Sequence, residues 1–213
     1  YDSAGVAYIQ NGAMHIVKAK GRLDNLRERL GDAKAEDTIG IGHTRWATHG
    51  EPSDINAHPQ TNTAGDLAVI HNGIIENFAK LKAWLQDKGI HFVSETDTEV
   101  IAHLINYFYE GDLKSAVMHA LKMLEGSYGL GVISAKEPHT IVAARKDSPL
   151  IIGLGKGENL VASDFPAILD YTRDAYLLDD GEIAVVTADA VDVYDQYGNR
   201  VEKERFTVDW DVT

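Results

Sequence analysis

Apolar residues recur along this chain in two rhythms, and the rhythm changes with position. Near the start, Val6-Ala7-Tyr8-Ile9 and Met14-His15-Ile16-Val17 flank Asn11-Gly12. An Asn-Gly pair between apolar runs predicts a β-hairpin. Leu23, Leu26 and Leu30 then follow at helical spacing, with Gly31 as the stop. Ile39 to His43 and Leu67 to His71 read as buried strands. Between them, from about Thr44 to Asp66, lies a polar stretch without periodicity, long for a loop and therefore a candidate for function. Helical spacing returns in the middle. Ile74, Phe78, Leu81 and Leu85 predict one helix ending at Gly89. Val100, Ile101, Leu104, Ile105 and Phe108 predict a second, capped by Thr96 or Asp97. A third spans about Leu113 to Leu124, stopped by Gly126. After Tyr128 short β-rich runs take over: Leu130 to Ile133, Thr140 to Ala144, Leu150 to Leu154, Leu160 to Ala162, Ile183 to Thr187, Val191 to Tyr194 and Val201 to Val208. Strands, then helices, then strands predict an α+β protein of sheets covered by helices, not a regular βαβ alternation.

Composition narrows the classes. With 213 residues, no repeat and five scattered prolines, the chain reads as one compact domain. The absence of cysteine excludes a disulfide scaffold, a zinc ribbon, an iron–sulfur site and a thiol nucleophile within these residues. The net charge of −13 argues against a partner made of nucleic acid. No apolar run approaches the ~20 residues that span a bilayer, and the opening Tyr1-Asp2-Ser3-Ala4-Gly5 is no signal peptide, so neither a membrane partner nor export is expected. That opening reads like the middle of a segment.

Four polar blocks sit at the predicted element ends: His43 to Gly50, Asn56 to Pro59, His71 to Gly73 and Ser94 to Glu99. Arg45, following a buried strand, can clamp a carboxylate with two parallel hydrogen bonds. The Asn72 amide and the backbone N–H of Gly73 form a pair of donors suited to an oxyanion. Asp97 can receive an ammonium group. An Arg and an Asp facing one site match the two ends of an α-amino acid. Taken singly, each has a plainer reading: Asp97 as a helix cap, Asn72-Gly73 as a turn, Arg45 as a surface or structural ion pair, Trp46 as core or wall. The case for chemistry rests on their joint occurrence.

Other signals point nowhere. His43, His49 and His58 share a segment but fit no zinc spacing, so no metal is assigned. Gly153-Leu-Gly155-Lys-Gly157 lacks the phosphate-loop spacing, and Leu178-Asp-Asp-Gly181 reads as a turn.

The wording of the blocks is specific. His-Thr-Arg-Trp-Ala-Thr-His-Gly-Glu-Pro-Ser from His43, Asn-Ala-His-Pro from Asn56, His-Asn-Gly-Ile-Ile-Glu-Asn from His71 and Ser-Glu-Thr-Asp-Thr-Glu from Ser94 resemble the glutaminase domains of the glutamine–fructose-6-phosphate aminotransferase family. Tyr1-Asp-Ser-Ala-Gly, Leu124-Glu-Gly-Ser-Tyr and Ala162-Ser-Asp extend the resemblance over essentially the whole chain. It implies an N-terminal-nucleophile hydrolase fold, a four-layer αββα sandwich of two antiparallel sheets between helices, here lacking its first strand and helix. It implies hydrolysis of the glutamine side-chain amide without a cofactor. Arg45 would bind the glutamine carboxylate and Asp97 its amine. Asn72 and Gly73 would form the oxyanion hole. Trp46, Thr48 and His49 would line the site. The implied partners are glutamine and, in a cytoplasmic, homodimeric full-length enzyme, an isomerase domain of the same polypeptide that makes glucosamine 6-phosphate from fructose 6-phosphate.

One departure matters. The family's nucleophile is an N-terminal cysteine whose own amine serves as base, and these residues hold none. Ser3 lacks the Gly-x-Ser-x-Gly elbow of an activated serine. Residues 1–213 are therefore expected to form a single, N-terminally incomplete glutaminase domain without its isomerase domain, inactive alone. The alternatives are a non-catalytic glutamine-binding module and a metal-dependent hydrolase built on the histidine-rich segment.

Overall fold

The computed structural model describes residues 1–31 and 39–211. Strands β1 (Ser3–Gln10) and β2 (Ala13–Lys20) form the predicted hairpin. At its turn Asn11 and Gly12 have φ of 53° and 76°, the positive values a two-residue type I′ turn demands. The short helix α1 (Leu23–Leu30) covers the hairpin's outer face, where Leu26 packs on Ala4 and Ala19. Strand β3 (Gly40–Arg45) pairs antiparallel with β1, giving a three-stranded sheet of order β2-β1-β3.

A seven-stranded sheet forms the centre. It contains β4 (Gln60–Thr61), β5 (Leu67–Asn72), β6 (Tyr128–Ser134), β7 (Glu137–Lys146), β11 (Ile183–Val186), β12 (Val191–Tyr194) and β13 (Arg200–Val201), in the order β13-β12-β11-β7-β6-β5-β4. Side chains alternate between the two faces of a strand, and both faces here are apolar. Leu67, Val69, Leu130, Val132, Val142 and Ala144 point to the helices α2 (Phe78–Asp87), α3 (Thr98–Phe108) and α4 (Leu113–Met123). In α4, Leu113, Ala116, Val117 and Ala120 supply the buried stripe at helical spacing. Helix α3 is buried along its first eight residues, which makes it the inner helix of the layer.

On the opposite face, Ala68, Ile70, Ile133 and Ile141 pack against Ala7, Ile9 and Ile41 of the three-stranded sheet. Ala143, Ala184, Val186 and Val193 pack against Ile152 and Val161 of a four-stranded sheet. That sheet comprises β8 (Ile151–Leu154), β9 (Asn159–Ala162), β10 (Asp174–Leu177) and β14 (Phe206–Thr207), in the order β14-β10-β8-β9. The two smaller sheets thus share one β layer. The result is helices, sheet, split sheet and helix, the αββα layering that the resemblance implies.

Several sequence expectations need correction. Ile74 precedes α2 and is exposed, whereas Ile75 is fully buried and bridges Gly126. The run from Val201 to Val208 is not one strand; β13 and β14 belong to different sheets. Strand β10 was not anticipated. Within the polar stretch after Thr44, Asn56, Ala57, His58, Gln60 and Asn62 are all buried. Its polarity is internal, since the Gln60 amide donates to the carbonyls of Ile55 and Ala57 and the Asn62 amide to Asp66 and Asn106.

Candidate active site

The ends of β3 and β5 and the start of α3 converge on one cleft. A cavity of about 360 Å³ is lined by His43, Thr44, Arg45, Trp46, Thr48, His58, His71, Asn72, Gly73, Ile74, Thr98 and Ser127. A second cavity of about 240 Å³ shares His43, Thr44, His71 and Asn72 with it. This one runs between Gly42–Thr44 of β3 and Val161–Ala162 of β9, above Ile70–Asn72 and Gly129–Gly131 of the central sheet. Both β3 and β9 are edge strands, so two unpaired edges face each other across this slot.

Strand β5 ends at Asn72, and the chain then turns sharply along Gly126-Ser127. Ser127 N–H donates to the Ile74 carbonyl at 2.9 Å, Ile74 N–H to Ser127 Oγ at 3.1 Å and Glu76 N–H to the Glu125 carbonyl at 2.8 Å. Gly73 has φ of 124°, and a Cβ there would lie 2.3 Å from the Ser127 carbonyl oxygen. A side chain is excluded on both counts. Among the described residues the Gly73 N–H makes no backbone hydrogen bond. The Asn72 side chain is exposed at the cleft, with its oxygen 2.8 Å from His43 Nε2. The Asn72 NH2 and the Gly73 N–H are thus two uncommitted donors at one point, the geometry of an oxyanion hole.

Arg45 is buried. One guanidinium nitrogen, Nη2, donates to the carbonyls of His49 and Gly50. The other, Nη1, is buried without a partner. Burial lowers the Arg45 pKa, and the carboxylates of Asp97 and Asp2 oppose that shift, which puts Asp97 within electrostatic reach of the guanidinium. Asp97 is also buried and caps nothing: its Oδ2 accepts the Ile75 N–H at 2.8 Å, while the helix-start N–H of Glu99 donates to Thr96 Oγ1 at 3.3 Å.

Three histidines complete the wall, His58 and His71 buried and His43 half-buried. His43 and His58 stack with ring centroids 4.5 Å apart. His58 Nε2 lies 2.8 Å from Thr98 Oγ1, His71 Nδ1 lies 2.9 Å from the same oxygen, and His71 Nε2 donates to the Ser127 carbonyl at 3.1 Å. Burial is the main cause that holds all three below the ordinary imidazole pKa, and for His58 the neighbouring His43 adds to it. Beneath them Lys18, pushed down to about 8 by burial, donates to the carbonyls of Ile55 and Pro59.

Buried polar atoms are almost always paired. Of the five unpaired side-chain atoms among the described residues, four lie in or beside this cleft: Ser3 Oγ, His43 Nδ1, Arg45 Nη1 and His58 Nδ1. Ser3 faces Arg45 across the β1–β3 pairing.

The structure therefore brings Arg45, Thr48, Asn72 and Gly73 to one cavity wall, with Asp97 behind it. Of the two plainer readings of Trp46, core falls and wall stands: it lines the cavity and is 69% exposed at the rim, its ring 5.5 Å from that of Tyr1. His49 contributes its carbonyl, while its ring packs 4.7 Å from Phe78. The histidine-rich segment does not converge as a ligand set, and no group of three metal-type side chains occurs among the described residues. Thr98 and Ser127 were not singled out beforehand. Their partners lie 27 and 56 residues away in sequence, beyond the reach of any local pattern.

Layering and cleft fit the class of glutamine amidotransferase domains, and residues 4–196 match that domain family, to which the chain belongs. Along its whole length it is 56% identical to the glutamine–fructose-6-phosphate aminotransferase (isomerizing) of Caldanaerobacter subterraneus subsp. tengcongensis, and 51% identical to that of Aquifex aeolicus. It spans 35% and 36% of those two proteins. The fold is also similar to glutamine phosphoribosylpyrophosphate amidotransferase from B. subtilis, with a TM-score of 0.77 and 26% identity over 93% of this chain and 44% of that one. A glutamine aminotransferase class-II domain protein from Silicibacter pomeroyi shares the fold alone, with a TM-score of 0.64 and 18% identity over 91% of each chain. No described helix is long and apolar enough to cross a membrane.

Proposed function

We propose that this domain binds glutamine and hydrolyses its side-chain amide to glutamate and ammonia, within a cytoplasmic, homodimeric enzyme whose isomerase domain uses the ammonia to convert fructose 6-phosphate to glucosamine 6-phosphate. The observation that carries the reading is the pairing of an unsatisfied buried guanidinium with two uncommitted N–H donors in one cavity. Arg45 Nη1 lacks an acceptor, and a carboxylate supplies one with charge. The carboxylate of Asp97 takes the substrate ammonium. Amino-acid ends so fixed leave the side-chain amide to reach the donors of Asn72 and Gly73, where the carbonyl oxygen gains charge as the tetrahedral intermediate forms.

The nucleophile comes from outside these 213 residues, which contain no cysteine. The slot between β3 and β9 suits it. An extended segment there would satisfy two facing strand edges, join the two smaller sheets into one and bring its end beside Asn72. Residues 1–213 are on this reading a single, incomplete glutaminase domain.

Glutamate release from glutamine tests the proposal. The intact polypeptide is expected to release glutamate, to lose this activity to a thiol-alkylating reagent and to keep it in the presence of a chelator. Residues 1–213 alone are expected to release none. Turnover by residues 1–213, or loss of activity to the chelator, overturns the reading.

A further inference from the structure

The oxyanion site has a weakness that the structure shows how to remedy. An asparagine carboxamide has a donor end and an acceptor end of nearly the same shape. Turned by about 180° about its terminal torsion, Asn72 would aim its oxygen at a developing oxyanion and repel it. Asn72 is exposed and the last residue of its strand, so packing does not choose the orientation.

We infer that His43 is a positioning residue that holds the Asn72 carboxamide by its oxygen, so that the NH2 faces the cleft. His43 Nε2 lies 2.8 Å from Asn72 Oδ1. A carboxamide oxygen only accepts, so Nε2 carries the hydrogen. The ring itself is fixed from behind. A backbone carbonyl also only accepts, so His71 Nε2 donates to Ser127 and the neutral His71 ring accepts the Thr98 hydroxyl hydrogen at Nδ1. Thr98 Oγ1 is then free to accept from His58 Nε2. His58, so anchored, stacks on His43 at an interplanar angle of 20°. Burial favours the neutral form of each ring. Hydrogen bonds fix the tautomers of His71 and His58, stacking holds the plane of the His43 ring, and the contact with the Asn72 oxygen sets the His43 tautomer. His43 lies on β3 and Asn72 on β5, in different sheets, so the contact also ties the oxyanion donor to the opposite β layer.

The inference rests on the glutaminase reading, and the test separates the two. In the intact polypeptide, His43→Phe is expected to lower kcat for glutamine hydrolysis towards the ~10²–10³-fold loss of a missing oxyanion donor, with KM changed by less than about threefold. His43→Gln, which can still present an N–H to Asn72, is expected to recover at least about tenfold of that loss. Placed on Asn72→Ala, His43→Phe is expected to change kcat by less than about twofold, because the residue it positions is gone. An equal loss in both backgrounds, or none in either, overturns the inference. The tautomer supplies a readout without turnover. In 15N-histidine-labelled intact protein, His43, assigned through His43→Gln, must show a protonated Nε2 and a bare Nδ1. The opposite tautomer overturns the inference. If the wild-type polypeptide releases no glutamate, it is the proposed function that falls, and the tautomer still decides whether His43 holds Asn72.

Discussion

Asp97 stands at the start of α3, yet its carboxylate accepts no N–H of that helix; its Oδ2 accepts the Ile75 N–H, 2.8 Å away and 22 residues earlier in the chain. One carboxylate oxygen therefore anchors the segment just beyond Asn72-Gly73. The other makes no hydrogen bond among the described residues, and on the proposed function it takes the substrate ammonium. The two roles separate by substitution. Asp97→Asn keeps an acceptor for Ile75 but loses the charge, and is expected to weaken glutamine binding by at least about tenfold at near-normal stability, given ~1.5–3 kcal/mol for a charged hydrogen bond. Asp97→Ala is expected to lose the same affinity and in addition about 1–3 kcal/mol of stability, because a buried N–H is stranded. Calorimetric titration with glutamine and urea unfolding check both. Equal stability of the two variants would remove the anchoring role.

Gly73 tolerates no Cβ. Its φ is 124°, and the Ser127 carbonyl occupies the space. Gly73→Ala is expected to cost about 1–3 kcal/mol through backbone strain and to lower kcat further than KM, since relief of the contact displaces an oxyanion donor. Wild-type kcat together with a wild-type urea midpoint would place the donor elsewhere.

Acid should loosen the fold before most carboxylates titrate. Burial holds His43, His58 and His71 below the ordinary value of 6.5. The unfolded chain therefore takes up protons first on acidification. Stability from the three neutral rings is complete above about pH 6.5 and is lost as the pH falls below it, by ~1.4 kcal/mol per pKa unit of displacement. The urea midpoint is expected to drop between pH 7 and pH 5, and to drop less steeply in His58→Gln. A midpoint that is flat or rising over this range contradicts the buried neutral array.

Much of this arrangement was legible beforehand. The hairpin turn, α3 and α4 follow from local chemistry: positive φ at Asn11-Gly12 and apolar spacing at Leu113, Ala116, Val117 and Ala120. Arg45, Asn72 and Gly73 were legible because a charged or polar residue at the end of an apolar strand is a local signal. Strand β10 was not, since Asp174-Ala-Tyr-Leu buries only Ala175 and pairs through its backbone with β8 and β14. Its existence depends on partners more than twenty residues away in either direction. Val201 to Val208 merged two strands because the break between them is set by which sheet each edge can join. For Trp46 the sequence left core and wall open, because ring size suggests burial in either; here the ring stands at the rim against Tyr1. The roles of Thr98 and Ser127 arise only when α3 and the start of β6 come together behind His71.

The division of labour in the cleft gives the most direct measurement. Steady-state glutamine hydrolysis by the intact polypeptide is compared for Arg45→Ala and Asn72→Ala. Arg45→Ala removes a charged contact made equally before and during reaction, and is expected to raise KM about 10- to 150-fold, the equivalent of ~1.5–3 kcal/mol, with kcat little changed. Asn72→Ala removes a donor that matters only once the oxyanion forms, and is expected to lower kcat by ~10²–10³-fold with KM little changed. An unchanged KM in Arg45→Ala, or an unchanged kcat in Asn72→Ala with the fold intact, contradicts the account.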